Sequence, residues 1–271
     1  MTVTAGTGHG EQGTGATARR LFPVPFSLFP LLPGSPGWLN MARDQAMLDR
    51  AEAEGGLLLR IYQWDPACLS FGRNESVLKR YHRDQIAHLK LDVVRRPTGG
   101  RAVWHDQEVT YAVAGRVAQF GSLSAAYCAI HQFLAAALRR MGADVTLAAK
   151  LPVPGLSPGG CFSAPVGGEI MYGSRKLVGS AQLRQGDAFL QHGSILLQGT
   201  QEIVSRVSQT SAPEGGESSL SDALGRAVSF QEVADAILDQ SGTEPLETKW
   251  LDRAAAAHEA HFRSPEWTWR R

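Results

Sequence analysis

Apolar residues recur at helical spacing in two long stretches of the chain. In the stretch 122–141 they fall three or four positions apart, at Leu123, Tyr127, Ile130, Leu134, Leu138 and Met141. Residues 38–54 show a similar pattern, and Gly55-Gly56 then supplies a stop. The spacing predicts two amphipathic helices, and Ser122 can cap the second of them.

Shorter apolar runs, bounded by Gly, Pro or Asp, predict the strands. The predicted strands are 57–64, 68–71, 91–94, 102–104, 109–114, 169–172, 176–183 and 188–197. Two short helices are predicted at 230–238 and 250–262, whereas the polar residues 198–221 are predicted to form a long loop. Helices interspersed with short strands favour an α/β fold in which helices cover a mixed sheet.

Length and composition predict one globular domain, at residues 34–271. The chain has 271 residues, of which 43% are hydrophobic and 20% charged, and these values are ordinary for a globular protein. Residues 1–33 are predicted to be a disordered or extended arm. The first twenty carry few large apolar side chains, and prolines at 23, 25, 30 and 33 forbid the helix that a signal sequence or membrane span needs.

Charge and cysteine content exclude several classes of protein. The formal net charge of +1 leaves no electrostatic footprint for nucleic acid or for an anionic membrane. The cysteines Cys68, Cys128 and Cys161 are too few and too scattered for a disulfide framework, and no C-x-x-C pair indicates zinc. We therefore expect no metal, no other cofactor and a reducing cytoplasm, with Cys68 buried in the core.

The stretch 95–106 reads R-R-P-T-G-G-R-A-V-W-H-D and follows a predicted strand. Its Pro-Thr-Gly-Gly turn brings main-chain N–H groups close to a ligand, and Arg95, Arg96 and Arg101 suit an anionic or strongly dipolar group. An ordinary solvated turn remains the alternative. His105 and Asp106 can likewise belong to a solvated turn or to a site.

Cys161 follows the Pro- and Gly-rich stretch 151–160, and Lys176 comes fifteen residues later. A cysteine reacts as its thiolate, which a nearby ammonium favours, and a neutral amine can accept a proton. The pair predicts two-step acyl transfer, in which Cys161 takes an acyl group from a thioester and a second nucleophile removes it. A bystander thiol and a solvated lysine remain the alternatives.

Two further turns are predicted to take part. Main-chain N–H groups at Gly99-Gly100 and at Gly193-Ser194 are candidate donors to an oxyanion. His192 is either a residue of the site or a hydrogen-bonded core histidine, and we favour the second.

Several motifs together resemble the biotin and lipoate protein ligase superfamily, in its LipM-type octanoyltransferase branch. They are R-R-P-T-G-G-R-A-V-W-H-D, C-F-S-A-P, G-S-R-K-L-V-G-S-A-Q and Q-H-G-S-I-L-L, with N-M-A-R-D-Q-A-M-L, R-I-Y-Q-W-D-P-A-C-L-S-F-G and S-P-E-W in matching places. The resemblance covers roughly residues 36–270. It implies a catalytic domain of the class II aminoacyl-tRNA synthetase and biotin synthetase type, with a mixed, largely antiparallel sheet.

The resemblance also implies an activity. Such an enzyme moves an octanoyl group from octanoyl-acyl carrier protein to a lysine of the glycine cleavage H protein, in lipoate biosynthesis. Cys161 matches the acyl-carrying cysteine, and Lys176 matches the lysine that lowers its pKa. The residues that match acyl-binding segments are Arg95, Arg96, Thr98, Gly99, Gly100, Arg101, Ala102, Gly179, Ser180, Ala181, His192, Gly193 and Ser194.

Three other functions remain open. An ATP-dependent lipoate-protein ligase would hold an acyl-adenylate, but Arg101 stands where such ligases usually carry a third glycine. An amidotransferase that acts between lipoyl-domain proteins has its cysteine elsewhere in the chain. An inactive lipoyl-domain binding protein should lack the pair formed by Cys161 and Lys176.

Overall fold

The computed structural model describes residues 25–29, 31, 33–148, 168–210, 216–241 and 244–270. Its strands are β1 (Ser27–Leu28), β2 (Leu57–Tyr62), β3 (Cys68–Phe71), β4 (Asp92–Arg95), β5 (Val103–His105), β6 (Glu108–Arg116), β7 (Thr146–Leu147), β8 (Ile170–Tyr172), β9 (Arg175–Lys176), β10 (Val178–Gln185), β11 (Ala188–Leu196) and β12 (Glu244–Pro245). Its α-helices are α1 (Gly37–Ala53), α2 (Val77–Arg80), α3 (Arg83–His88), α4 (Leu123–Arg140), α5 (Glu202–Val207), α6 (Leu220–Leu224), α7 (Phe230–Ser241), α8 (Thr248–Ala255), α9 (Glu259–Arg263) and α10 (Pro265–Thr268).

A six-stranded sheet forms the centre of the fold, in the order β10-β11-β6-β2-β1-β12. The neighbours β10, β11, β6 and β2 pair antiparallel, whereas β1 is parallel to β2 and to β12. The prediction of a mixed, largely antiparallel sheet covered by helices is therefore confirmed. Strand β1 lies within the predicted N-terminal arm, so this part of the arm joins the central sheet.

The central sheet has an apolar core on each face because side chains alternate along a strand. On one face Ile61 and Tyr111 pack with Leu134 of α4 and with residues of α7. On the other face Ala112 and Leu190 pack with residues of α1. The helix predicted from residue 122 is confirmed as α4, since the Ser122 hydroxyl accepts a hydrogen bond from the amide of Ala125 at 3.1 Å.

Two three-stranded sheets flank the central one, in the orders β4-β3-β5 and β7-β8-β9. Arg95, at the end of β4, is fully buried and holds the C-terminal segment against the first of them. Its guanidinium donates to the carbonyl oxygens of Thr268 at 3.2 Å and of Gly72 at 2.9 Å, and Trp267 Nε1 donates to the Arg95 carbonyl at 2.8 Å. The S-P-E-W motif therefore anchors the chain end. Cys68 is buried, as expected.

The prediction of a loop at 198–221 is wrong in part. Residues Glu202–Val207 form α5, and Val204 and Val207 pack against Phe71 and Ile86. A helix of six residues is too short for a helical periodicity to be recognised in the sequence. Among the residues that the structure describes, no helix has the length and hydropathy that crossing a bilayer requires.

We predict that Gly72→Ala destabilises the protein. A Cβ at residue 72 would lie 1.9 Å from the Gly100 carbonyl oxygen, so the Arg95–Gly100 segment has to shift. The expected loss is about 3 kcal/mol in the free energy of unfolding measured with urea. Gly99→Ala is the matched control, because nothing lies within 4 Å of a Cβ there. Equal stabilities for the two variants would contradict the close approach.

Candidate functional site

A pocket lies between α1, the central sheet and strand β5. Its empty space is about 340 Å³, including the open mouth. The side chains and backbone around it are mostly apolar or uncharged, with one arginine and two histidines. The lining residues are Met41, Tyr62, Trp64, Ser70, Arg96, Val103, His105, Thr110, Gly179, Ser180, Ala181, His192, Gly193 and Ser194.

Seven of the residues predicted to bind the acyl group line this pocket. They are Arg96, Gly179, Ser180, Ala181, His192, Gly193 and Ser194. Thr98 stands directly behind them, with its hydroxyl 2.6 Å from His192 Nε2. Arg95 and Ala102 are buried outside the lining, where Arg95 binds carbonyl groups and Ala102 packs with Phe71. The structure thus brings together three segments that are distant in sequence.

The turn at 97–101 is held by Arg96 rather than left open for an anion. The Arg96 guanidinium donates to the carbonyl oxygens of Gly99 at 2.8 Å and Arg101 at 2.6 Å. It also donates to the Ser70 hydroxyl at 3.0 Å. Because the Arg96 guanidinium is hydrogen-bonded to these carbonyl oxygens, Arg96 stabilises the pocket wall. Gly100 packs on Gly72.

The prediction of a turn at Gly193-Ser194 is wrong. Both residues lie inside β11, which pairs with β10 on one side and β6 on the other. A strand between two neighbours uses its main-chain N–H groups in the sheet, so these two residues do not supply oxyanion donors. Gly179 and Ser180 also lie within a strand and pair with Ser194 and Gly193. Gly193 instead allows a close approach of its neighbours, because a Cβ there would lie 2.5 Å from Ser180 Oγ and 2.5 Å from the Gly179 carbonyl oxygen.

Asp44 of α1 orients His192 in the pocket. Its Oδ2 lies 2.8 Å from His192 Nδ1 and accepts the Tyr62 hydroxyl at 2.8 Å, while Arg60 donates to Oδ1 at 3.0 Å. Burial lowers the pKa of His192, and Asp44 opposes that shift only in part. His192 is therefore neutral, with Nδ1–H donating to Asp44 and Nε2 accepting from Thr98. Asp44 was not predicted as a site residue, although a charged residue on the apolar face of a predicted helix could have indicated it.

His105 belongs to the pocket, whereas Asp106 belongs to a turn. The His105 ring stacks on Trp64 with centroids 4.0 Å apart, its Nδ1 lies 2.8 Å from Glu108 Oε1, and its Nε2 lies 2.7 Å from Ser70 Oγ. Asp106 is exposed, and its carboxylate accepts from the Gln107 amide at 3.0 Å. Of the two residues, His105 is therefore part of the site, and Asp106 is part of a solvated turn.

Lys176 is buried in an ion pair with Glu169. The Nζ–Oε1 distance is 2.5 Å, and each side chain is 2% exposed. Cys161 lies outside the described residues, but both ends of its segment are described. The Gly168 amide donates to the Ala148 carbonyl at 2.8 Å, and the Ala148 amide donates to the Glu169 carbonyl at 2.7 Å. Ala148 and Gly168, the described residues on either side of 149–167, therefore lie together beside Glu169.

His131 of α4 connects this point to the pocket. Its Nδ1 lies 2.7 Å from the Gly168 carbonyl oxygen, and its Nε2 lies 2.8 Å from Ser180 Oγ. Burial, opposed by the hydrogen bond to Gly168 and aided by the charge of Lys176, lowers the pKa of His131 to about 4. The imidazole is neutral at pH 7, so Nδ1–H donates to Gly168 and Nε2 accepts from Ser180. His131, which lies beside the apolar stripe of α4, was not predicted as a site residue.

No group of three or more His, Cys, Asp or Glu side chains that could hold a metal ion occurs within the described ranges. The polar groups of the pocket instead bind one another. The arrangement suits an uncharged ligand with an apolar part.

Residues 36–242 match the family described as the lipoyl protein ligase A/B catalytic domain. Octanoyltransferase LipM of Kyrpidia tusciae is 34% identical in an alignment of 260 positions, which covers 86% of this chain and 94% of that protein. Octanoyltransferase LipM of Moorella thermoacetica is 42% identical in an alignment of 166 positions, which covers 59% of this chain and 61% of that protein. The Bacillus subtilis protein of the same name is 37% identical over 58% of this chain and 60% of its own length. For the last two, the match spans less than two thirds of the relative.

Solved structures of similar fold include a lipoate-protein ligase A bound with ATP. It superimposes with a TM-score of 0.74 at 19% identity and covers 90% of this chain and 98% of that one. Plasmodium falciparum LipL1 in complex with lipoate has a TM-score of 0.69 at 13% identity, covering 91% of this chain and 74% of that one. At these identities the similarity shows the fold.

We predict that His131 makes the stability of the protein pH-dependent below neutrality. The folded state holds the His131 pKa at about 4, below its ordinary 6.5, so the unfolded chain binds a proton there first as pH falls. Between pH 7 and pH 5 this costs about 2 kcal/mol of unfolding free energy. Urea unfolding of His131→Gln should show that much less dependence on pH.

The exposed His88 supplies the matched control, since His88→Gln should leave the wild-type pH dependence in place. A His131→Gln protein that loses stability between pH 7 and pH 5 as steeply as the wild type would contradict a buried, neutral His131.

Proposed function

This chain belongs to the lipoyl protein ligase A/B catalytic domain family, and we propose that it is an octanoyltransferase that carries the acyl group on Cys161. The donor is octanoyl-acyl carrier protein, and the acceptor is a lysine of the glycine cleavage H protein or of another lipoyl domain. ATP is not consumed. A cytoplasmic location is part of the proposal, because a reactive thiol stays reduced there.

The observation that carries the proposal is the 34% identity with an octanoyltransferase along 86% of the chain. The two solved ligase-fold structures described above share the fold with this chain but are only 19% identical or less. The family match includes the stretches that hold Cys161, Lys176 and the pocket. These together favour transfer from a thioester over activation by ATP.

The first step of the proposed reaction forms the acyl-enzyme. The Cys161 thiolate attacks the carbonyl carbon of the octanoyl thioester, and the carrier-protein sulfur leaves as a thiolate that takes up a proton. Lys176 is the proposed cation that favours the thiolate. Residue 161 is seven residues from Gly168, a span of at most about 25 Å. Because one imidazole binds both the Gly168 carbonyl and Ser180, this reach includes the pocket.

In the second step the acceptor lysine amine attacks the Cys161 thioester. The new amide bond forms as the carbon–sulfur bond breaks, the amine loses a proton, and the cysteine regains its thiol. The pocket supports this chemistry by holding the acyl chain against Met41 and Val103, while Gly193 lets Ser180 and Tyr111 pack closely at the pocket wall. Acyl-chain length and the choice of lipoyl domain are not fixed by these contacts.

The proposal is tested by mixing the protein with octanoyl-acyl carrier protein in the absence of ATP. We expect a mass increase of one octanoyl group in the intact-protein mass spectrum, and its loss when an apo H protein is added. Cys161→Ser should form no thioester, and octanoyl transfer should fall at least a hundredfold because the nucleophile is gone. Cys128→Ser, on α4, is the matched control and should form the adduct normally.

Two outcomes would overturn the proposal. Acylation of the H protein that requires ATP and free octanoate or lipoate would identify a ligase. A chain that binds a lipoyl domain but neither forms an adduct nor transfers octanoate would be an inactive binding protein.

A further inference from the structure

The residues that line the pocket are unequally buried along its length. Ser180 and Ala181, on the strand β10 at the edge of the central sheet, are partly exposed. Met41, Ser70 and Thr110 are 1%, 0% and 2% exposed. All five line the pocket. A ligand that enters past β10 therefore has its far end beneath helix α1, in the part of the pocket that solvent does not reach.

The polar side chains at this closed end are already hydrogen-bonded to protein groups. The Ser70 hydroxyl lies 2.7 Å from His105 Nε2, and the Thr110 hydroxyl accepts from Trp64 Nε1 at 2.7 Å. The same bond, together with stacking on His105, holds the partly exposed Trp64 as a side wall. Met41 offers the closed end an apolar side chain. It is therefore the surface that the terminal methyl group of an acyl chain would meet.

The backbone on either side of Met41 is tied to the central sheet. Arg60 of β2 donates to the Asn40 side chain at 2.5 Å and to the Asp44 carboxylate at 3.0 Å. Asn40 directly precedes Met41 on α1, and Asp44 follows it by one helical turn. Because one guanidinium binds both neighbours, Met41 is held at a fixed distance from the strands that form the rest of the pocket.

Met41 also belongs to a densely packed apolar cluster. Its buried partners there are Ala42, Cys68, Val94, Ala255 and Phe262. A Cβ at Gly37, on the same helix, would lie 2.5 Å from Cys68 Sγ, which shows how little free space this region has. The Met41 side chain therefore separates the pocket from an apolar region. A shorter side chain would add to the pocket a space that suits methylene groups rather than water.

We propose that Met41 is a specificity-determining residue, which closes the pocket and sets the upper limit of acyl-chain length. This inference rests on the proposed function, in which the acyl group of the donor occupies the pocket. Contact with an apolar wall does not by itself select a chain length. A closed end imposes a limit, because one methylene group too many has to displace a packed side chain.

The first test compares hexanoyl-, octanoyl-, decanoyl- and dodecanoyl-acyl carrier protein as donors to the H protein. Met41→Ala removes the side chain beyond Cβ and leaves room for about two methylene groups. It should raise kcat/KM for the decanoyl donor, relative to the octanoyl donor, at least tenfold. Met41→Phe narrows the closed end, so it should lower kcat/KM for the octanoyl donor relative to the hexanoyl donor.

Met47→Ala is the matched control. Met47 is 0% exposed on the same helix, but it packs with Ala112 and Leu190 outside the described lining of the pocket. This variant should keep the wild-type order of chain lengths. Each ratio compares donors within one protein preparation, so partial unfolding of a variant does not change it. If Met41→Ala does not fold, Met41→Val should show a smaller shift in the same direction.

The second test measures binding without any acyl transfer. Octanamide and decanamide are uncharged and have no thiol leaving group, so calorimetric titration reports only how well each chain fits the pocket. Relative to the wild type, Met41→Ala should improve the affinity for decanamide over octanamide at least tenfold. Met47→Ala should bind the two amides in the wild-type ratio.

The inference is overturned if Met41→Ala keeps the wild-type ratios of chain lengths, or if Met47→Ala shifts them by as much. Failure of the proposed function is a different result, since the wild type would then transfer no acyl group from any of the four donors. Transfer by the wild type with unchanged ratios in Met41→Ala would remove the role of Met41 alone.

Discussion

Pairing of buried charges is the constraint on which this structure depends. An ionised side chain taken out of water is stable only when a partner compensates its charge. The fold supplies such partners beside the pocket, where Asp44 binds Arg60 and where Lys176 binds Glu169. The first pair joins helix α1 to strand β2, and the second joins β9 to the residue that precedes β8. The same contacts that satisfy the charges therefore fix the walls of the site.

The two pairs lie on opposite faces of the central sheet. Side chains alternate along a strand, so His192 of β11 points with Asp44 toward α1. The next residue, Gly193, pairs with Tyr111 of β6 and Ser180 of β10, and these two side chains point toward His131 on α4. Gly179 and Gly193 leave the sheet thin at this point. A thiol that comes from the α4 side would therefore meet an acyl chain at the end of the pocket formed by Ser180.

Sequence alone predicted the fold well and the site in part. Periodicity located α1, α4 and most strands because these elements bury one face. The motifs identified seven residues of the pocket lining. Asp44, His131 and Glu169 were not predicted, because no recurring spacing in the sequence marks a residue that binds another side chain. Gly193 was assigned to a turn because glycine marks turns more often than it marks a close approach of groups inside a sheet.

The central claim is that one sulfur, beside a buried lysine, carries the acyl chain into this pocket. A crystal structure of the protein trapped with octanoyl-acyl carrier protein and no acceptor tests it most directly. We predict a thioester on Cys161, its sulfur within about 6 Å of Lys176 Nζ, and the acyl chain beside Gly193. An acyl chain elsewhere, or a Cys161 sulfur separated from Lys176 by the central sheet, would contradict it.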